Sequence, residues 1–222
     1  MSGDIFLVGR HALLRAPDLE KDVAQGDWHG WFNDQNTTRY LAMGAFPNTR
    51  ERQLAYVARQ MEDAGQLFLC IVDKESERFV GVIRLYGIDF IERTATVSLV
   101  IGEKEYHPAV PLEALALVTG HAFDRMNLVR INSGQSENLW PWINAMELIG
   151  YRIDGYFEGA MTRNGEAHGV VHTSITARDY RKLKAERGGR IMTTDAMALL
   201  ATRKFSQERI KRLKRYLEQL YR

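Results

Sequence analysis

The alternation of apolar and polar positions divides the chain into elements before any composition is counted. "HALLRAPDLEKDV" opens with a short apolar strand and breaks at Pro17, after which Asp18 can cap a helix through its side-chain oxygen. "FPNTRERQLAYVARQMEDAG" is a punctuated helix: Asn48 or Thr49 caps it, Glu51 sits in its first turn, Leu54, Val57 and Met61 recur at helical spacing, and Gly65 ends it. Three segments rich in Val, Ile, Leu and Phe follow, "LFLCIVD", "FVGVIRLYGID" and "ATVSLVIG", parted by charged turns; they predict an antiparallel meander. "PLEALALVTGHAFDRM" has helical periodicity, "LVRINSGQ" reads as a strand, "WPWINAMELIGY" as a short helix stopped by Gly150, and "HGVVHTSITARDY" as a last strand. The order is mixed α and β around a central sheet.

Beyond Tyr180 the pattern changes. "RKLKAERGGR" reads as a charged connector, and "TTDAMALLATRKF" and "SQERIKRLKRYLEQLYR" as two helices, the second capped by Ser206. In that second helix Ile210, Leu213, Leu217 and Leu220 form one apolar seam, suited to pack on the domain or on a second subunit as a homodimer element. The expected organisation is one domain over residues 1–180 and a basic helical extension over 181–222. Charge sharpens this division. Residues 178–222 carry 14 Lys/Arg against 5 Asp/Glu, a surplus of +9 in a chain whose net charge is +2, so residues 1–177 stand at −7. Arg209, Lys211, Arg212, Lys214 and Arg215 crowd one short helix, yet no aromatic stacking module accompanies them, so nucleic acid is not the expected partner. No stretch approaches the roughly 18 apolar residues of a membrane span and no signal-peptide pattern opens the chain, which makes a cytoplasmic location the default. The single cysteine, Cys70, lies in an apolar run and is expected at a buried strand position.

Taken in order, "LLRAPDLEKD", "WFNDQNTTRYL", "FPNTRER", "FVGVIRLYGIDFIERTATVSLVIGEKEY", "EALALVTGHAFDRMNLVRI", "SEN" and "IGYRIDGYFEG" resemble the GNAT superfamily of N-acetyltransferases, and within it the RimJ/RimL-like branch, over roughly residues 8–180. The resemblance implies the GNAT fold, a central, mostly antiparallel sheet flanked by helices, here with a C-terminal helical extension. It implies acetyl-CoA as co-substrate and a primary amine as acceptor, carried by a small molecule or a protein N-terminus. It further implies that Leu99, Val100, Ile101 and Gly102 pair with the pantetheine arm. Val110, Pro111, Leu112, Glu113 and Ala114, at the start of the next helix, would receive the pyrophosphate, where orphan N–H groups and the helix dipole favour an anion. Asn138 would bond the pantetheine or cap the helix that follows it.

The chain departs from that branch in two places. The loop usually runs Tyr-Trp-Gly-x-Gly-x-x-x-Glu-Ala; here it reads Tyr106, His107, Pro108, Ala109, Val110, Pro111, Leu112, Glu113, Ala114, one residue shorter and without either glycine. Pro108 and Pro111 each remove an N–H donor, although Pro111 suits a first helical position. His107 can return a side-chain contact to a phosphate, or be an exposed or packing residue. Counting back from Gly150 puts Met146 where the family places the tyrosine that protonates the thiolate, and a methionine has no proton to give. Asn138 and His107 are therefore the side chains put forward for catalysis. Trp28, Trp31, Trp140 and Trp142 are candidates for the acceptor side or for the core. Glu103, Glu137, Glu158, His107, His121, His168 and His172 are conceivable bases for the amine. No metal-ligand spacing is present, so no metal is expected. The expected activity is transfer of an acetyl or other acyl group to an amine. The alternatives are a GNAT fold serving as a binding or assembly module, and an acyltransferase whose donor is an acyl carrier protein, since phosphopantetheine lacks the adenosine pyrophosphate.

Overall fold

The computed structural model describes residues 4–41 and 43–220. The chain divides into two compact units, Met1–Leu128 and Val129–Arg222. The architecture is mixed α/β, with antiparallel strands flanked by helices.

In the first unit, β1 (Ile5–Val8) and β2 (Ala12–Arg15) form a hairpin, followed by a π-helical turn over Leu19–Ala24, the short helices α1 (Trp28–Trp31) and α2 (Gln35–Thr38), and α3 (Arg50–Glu62). The meander β3 (Leu67–Asp73), β4 (Phe79–Asp89) and β5 (Thr94–Ile101) follows, then α4 (Val110–Asp124). The strands lie side by side in chain order, each antiparallel to the next. Asp18 caps the π-turn by accepting the N–H groups of Glu20 and Lys21, and Thr49, not Asn48, caps α3 by accepting that of Arg52. The expected strand β2 is present; its partner β1 was not foreseen. β1 has four residues, leaves Ile5, Phe6 and Val8 exposed, and lacks the alternation that marks a half-buried strand.

β3 reads as a continuous apolar run because it is buried along nearly its whole length. Its Phe68 and Cys70 join Val23, Trp28, Trp31, Phe32, Val57 and Val82 in one core cluster. Beneath that cluster Arg15 forks onto Asp22 with two bonds of 2.6 Å, and Asp22 also accepts the N–H of Asp18, so the buried charges are paired and hydrogen-bonded.

The second unit holds β6 (Arg130–Ser136), a 3-10 turn over Glu137–Leu139, α5 (Trp140–Glu147), β7 (Arg152–Arg163), β8 (Glu166–Thr176), α6 (Ala177–Glu186), α7 (Thr194–Thr202) and α8 (Glu208–Leu220). β8 lies between β6 and β7 and is antiparallel to both. β7 was not anticipated, although its hairpin to β8 turns on Asn164-Gly165, both at positive φ (52° and 81°), a pair suited to a tight two-residue turn. The expected connector after Tyr180 is a correction as well: most of it belongs to α6, whose Thr176 cap accepts the N–H of Asp179.

The last helix packs within its own unit. Ile210 is buried with Ile143 and Val171, and Trp140, Ile153 and Tyr156 close around them. Asn144 donates to the Ser206 carbonyl at 3.1 Å, and Glu147 pairs with Arg203 and Arg209. The apolar seam of α8 is thus buried at Ile210, half-buried at Leu213 and Leu217, and exposed at Leu220.

Candidate active site

β5 ends at Ile101, and the N–H groups of Gly102 and Glu103 both donate to the Val80 carbonyl, at 3.0 and 3.2 Å. With Gly102 bonded to β4, antiparallel alternation directs the backbone groups of Leu99 and Ile101 to the other edge of β5 and those of Val100 back to β4. Trp31 lies flat over this strand end. A Cβ added to Gly102 would sit 1.8 Å from the Trp31 ring, so only glycine allows the approach, and Trp31 Nε1 donates to Glu103 at 3.1 Å. Trp28 is a core residue instead, 1% exposed between Phe68 and Phe79.

Four N–H groups of the loop into α4 are bonded within it or to Asp73. The His107 N–H donates to Asp73 Oδ2 at 3.0 Å, the Ala109 N–H to His107 Nδ1 at 3.2 Å, the Val110 N–H to the His107 carbonyl at 2.9 Å and the Glu113 N–H to the Ala109 carbonyl at 2.9 Å. Pro108 and Pro111 have no N–H. Val110, not Pro111, is the first helical residue, one position earlier than expected. Burial works against the Asp73 carboxylate, but the N–H groups of His107 and Glu75 outweigh it and hold its pKa below the ordinary range.

Glu113, in the first turn of α4, turns its side chain to the β1–β2 hairpin. Its carboxylate accepts the N–H groups of Arg10, His11 and Ala12, each at 2.7 Å. Three consecutive donors converging on one anion make a backbone nest, and Gly9 gives it room, since a Cβ there would lie 2.6 Å from Glu113 Cδ. The same hairpin brings His11 flat against His107, ring centres 3.8 Å apart and planes within 5°. Burial, then the neighbouring His107, lowers the His11 pKa. Because Nδ1 of His107 accepts from Ala109, the geometry assigns its ring proton to Nε2. Leu112 and Ala114 are buried in α4.

In the second unit the turn after β6 carries a polar cluster. Glu137 accepts the Gly169 N–H at 2.8 Å, the Tyr156 hydroxyl at 3.2 Å and Lys214 Nζ at 2.9 Å. Burial opposes the Glu137 charge, but Lys214 and the Gly169 N–H prevail and lower its pKa; the bond to Glu137, then that to Tyr156, raises Lys214. Burial raises Tyr156. Asn138 is exposed on the same turn; its N–H donates to Ser136 Oγ, and its amide nitrogen lies 3.3 Å from His168 Nδ1. Trp140 is partly buried against the Ile210 cluster, and Trp142 is half-buried. Tyr156, Gly169 and Lys214 were missed by sequence reading. A glycine inside a strand pattern signals a close approach, and at Gly169 the Tyr156 hydroxyl would lie 2.0 Å from an added Cβ.

The acetyltransferase (GNAT) domain model matches residues 11–152. The chain belongs to the GNAT acetyltransferase family. In fold, this GNAT acetyltransferase is similar to spermidine N-acetyltransferase from Vibrio cholerae, solved in complex with CoA and spermine: 17% identity over 78% of this chain and 99% of that one, TM-score 0.69. It is also similar to a GCN5-related N-acetyltransferase from Brucella melitensis (21% identity, 93% and 89% covered, TM-score 0.67) and to a GNAT-family acetyltransferase from Bacillus anthracis (23%, 78% and 99%, TM-score 0.65). The Brucella match covers more of the chain than residues 1–180 can supply, so it takes in part of the helical extension. A comparison with curated proteins found no match.

Within this GNAT acetyltransferase, Met146 is 1% exposed and its sulfur accepts from Gln135 Nε2 at 3.4 Å. Gln135 Oε1 and Thr173 Oγ1, on the neighbouring strands β6 and β8, are buried without a protein partner. Glu103 is committed to Trp31, and His121 packs edge-on against Phe6, its pKa lowered by burial.

Proposed function

We propose that this acetyltransferase moves an acetyl group from an acyl thioester, acetyl-CoA in the simplest case, to a primary amine by direct attack in a ternary complex, in the manner of the RimJ/RimL-like branch. The observation that carries the reading is the end of β5. Leu99 and Ile101 direct peptide groups away from β4, a geometry suited to a pantetheine arm, whose amides hydrogen-bond as a strand's do. An N–H on that edge would polarise the thioester carbonyl and stabilise the oxyanion that forms on attack.

The amine nitrogen forms the new bond to the carbonyl carbon, the C–S bond breaks, the sulfur leaves as thiolate, and the proton that the nitrogen sheds passes through water to that thiolate or to solvent. A thiolate whose conjugate acid has a pKa of about 8.5 is stable enough to depart without a side-chain acid, so Met146 in place of a tyrosine slows the step without blocking it. Two side chains are proposed for polar contacts to the donor: His107 through Nε2 and Asn138 through its amide. Trp31, over the strand end, is proposed to shape the acceptor side. Residues 181–222 are proposed to act as a brace, setting Lys214 on Glu137.

The test is thiol release from acetyl-CoA by the full chain with a diamine, an amino sugar and a peptide with a free N-terminus. Release with one of these, rising with pH because an alkylamine of pKa about 10.4 must lose a proton to attack, is the expected result. A folded protein that releases no thiol with any of the three overturns the reading.

A further inference from the structure

The loop into α4 has a consequence for the donor. Of the backbone N–H groups there, that of His107 is held by Asp73, that of Ala109 by the His107 ring, that of Val110 by the His107 carbonyl and that of Glu113 by the Ala109 carbonyl, while Pro108 and Pro111 have none. A diphosphate drawn to these four N–H groups would have to break bonds already made, which leaves Leu112 to donate from the first turn, beside two carboxylates at the same end of the helix. Asp73 is 3% exposed and bonded to the loop; Glu113 is 5% exposed and fills a nest of three converging N–H groups. Two buried anions and the four occupied donors oppose the charge of a diphosphate, where a fully open helix start would attract it. The nucleotide half of acetyl-CoA does not fit this loop, and no step of the mechanism uses it.

We infer that the enzyme recognises its donor by the acylated pantetheine arm, with the nucleotide adding little to affinity, so that CoA and a phosphopantetheine-bearing carrier both present the recognised group. This rests on the acyl-transfer reading above. It accounts for a start of α4 that keeps the Glu-Ala of the resembling loop but directs Glu113 to the β1–β2 hairpin.

The experiment is calorimetric titration of the full chain with acetyl-CoA and with S-acetyl-pantetheine, with adenosine 3′-phosphate 5′-diphosphate as competitor. Dissociation constants within about tenfold of each other, a gap of about 1.4 kcal/mol, and no displacement by millimolar competitor are expected. Acetyl-CoA binding tighter by more than tenfold, or displacement by the competitor, overturns the inference and leaves the acyl-transfer reading standing. If neither thioester binds the folded protein, the donor reading fails, and the inference with it. Transfer to an amine from an acetylated phosphopantetheine carrier protein at least as fast as from acetyl-CoA supports the inference and names the carrier as source. Transfer from acetyl-CoA with none from S-acetyl-pantetheine overturns it.

Discussion

Lys214 Nζ stands 2.9 Å from Glu137 Oε2 and 5.1 Å from the centre of the Tyr156 ring, so the basic face of the last helix closes on the turn that follows β6. Glu137 is held ionised by this contact and by the Gly169 N–H against the cost of burial. A carboxylate whose folded pKa is lowered adds stability above the ordinary carboxylate range and loses it as pH falls through the folded value. The melting temperature of the wild type should therefore drop between about pH 5 and pH 3, and that of Glu137→Gln should drop less. Lys214→Met should cost only about 1 kcal/mol at neutral pH, because both groups keep contact with solvent.

Glu113 accepts three consecutive N–H groups of the β1–β2 hairpin. Glu113→Ala leaves them without a partner inside the protein and should destabilise the fold by about 3 to 5 kcal/mol, read as a lower urea midpoint at unchanged slope. Glu113→Gln keeps one acceptor oxygen and should cost roughly half as much.

Gly102 and Trp31 share one space. Gly102→Ala pushes the indole off the strand end and breaks its bond to Glu103, for a loss of about 1 to 3 kcal/mol and a red shift in tryptophan emission. Adding Trp31→Ala removes the clash, so the double variant should lose less than the sum of the two single ones. Strict additivity would show that the two residues do not compete.

Ile210 is the buried end of the α8 seam. Ile210→Ala should cost about 2 to 4 kcal/mol locally, seen as faster amide exchange along α8 while β3 amides keep their protection. Equal loss at both places would mean that α8 does not open separately.

Burial, then the neighbouring Asp22 carboxylate, pushes the Cys70 thiol well above its ordinary pKa. Since the thiolate is the reactive form, Cys70 should resist a disulfide-exchange reagent in the native protein and react fully in denaturant. Rapid native labelling would contradict its burial.

Local rules made much of this chain legible. The meander β3–β5 follows from three apolar runs and their charged turns, and α3 from the Thr49 cap and the spacing of Leu54 and Val57. The absence of both glycines, together with Pro108 and Pro111, already showed that the loop into α4 would be poor in donors. Two further elements carried signals that went unread: Asn164-Gly165 for the β7–β8 turn, and Thr176 with Asp179 three residues on for the start of α6. β1 left no such mark, being four residues long and largely exposed.

What only the tertiary structure decided is which groups meet. Glu113 finds its partners 101 to 103 residues away, and Lys214 finds Glu137 across 77 residues. Periodicity and capping describe neighbours within a few positions, so they place Glu113 in the first turn of a helix and Lys214 on a basic face. They carry no information on the direction each side chain takes once distant segments pack. The sequence by itself determined the β3–β5 meander, the helices α3, α4 and α8, the family resemblance and a loop without glycine. Packing of the β1–β2 hairpin against α4 decided that the Glu113 carboxylate serves the protein's own backbone, because three converging N–H groups replace the hydrogen bonds that water would give it.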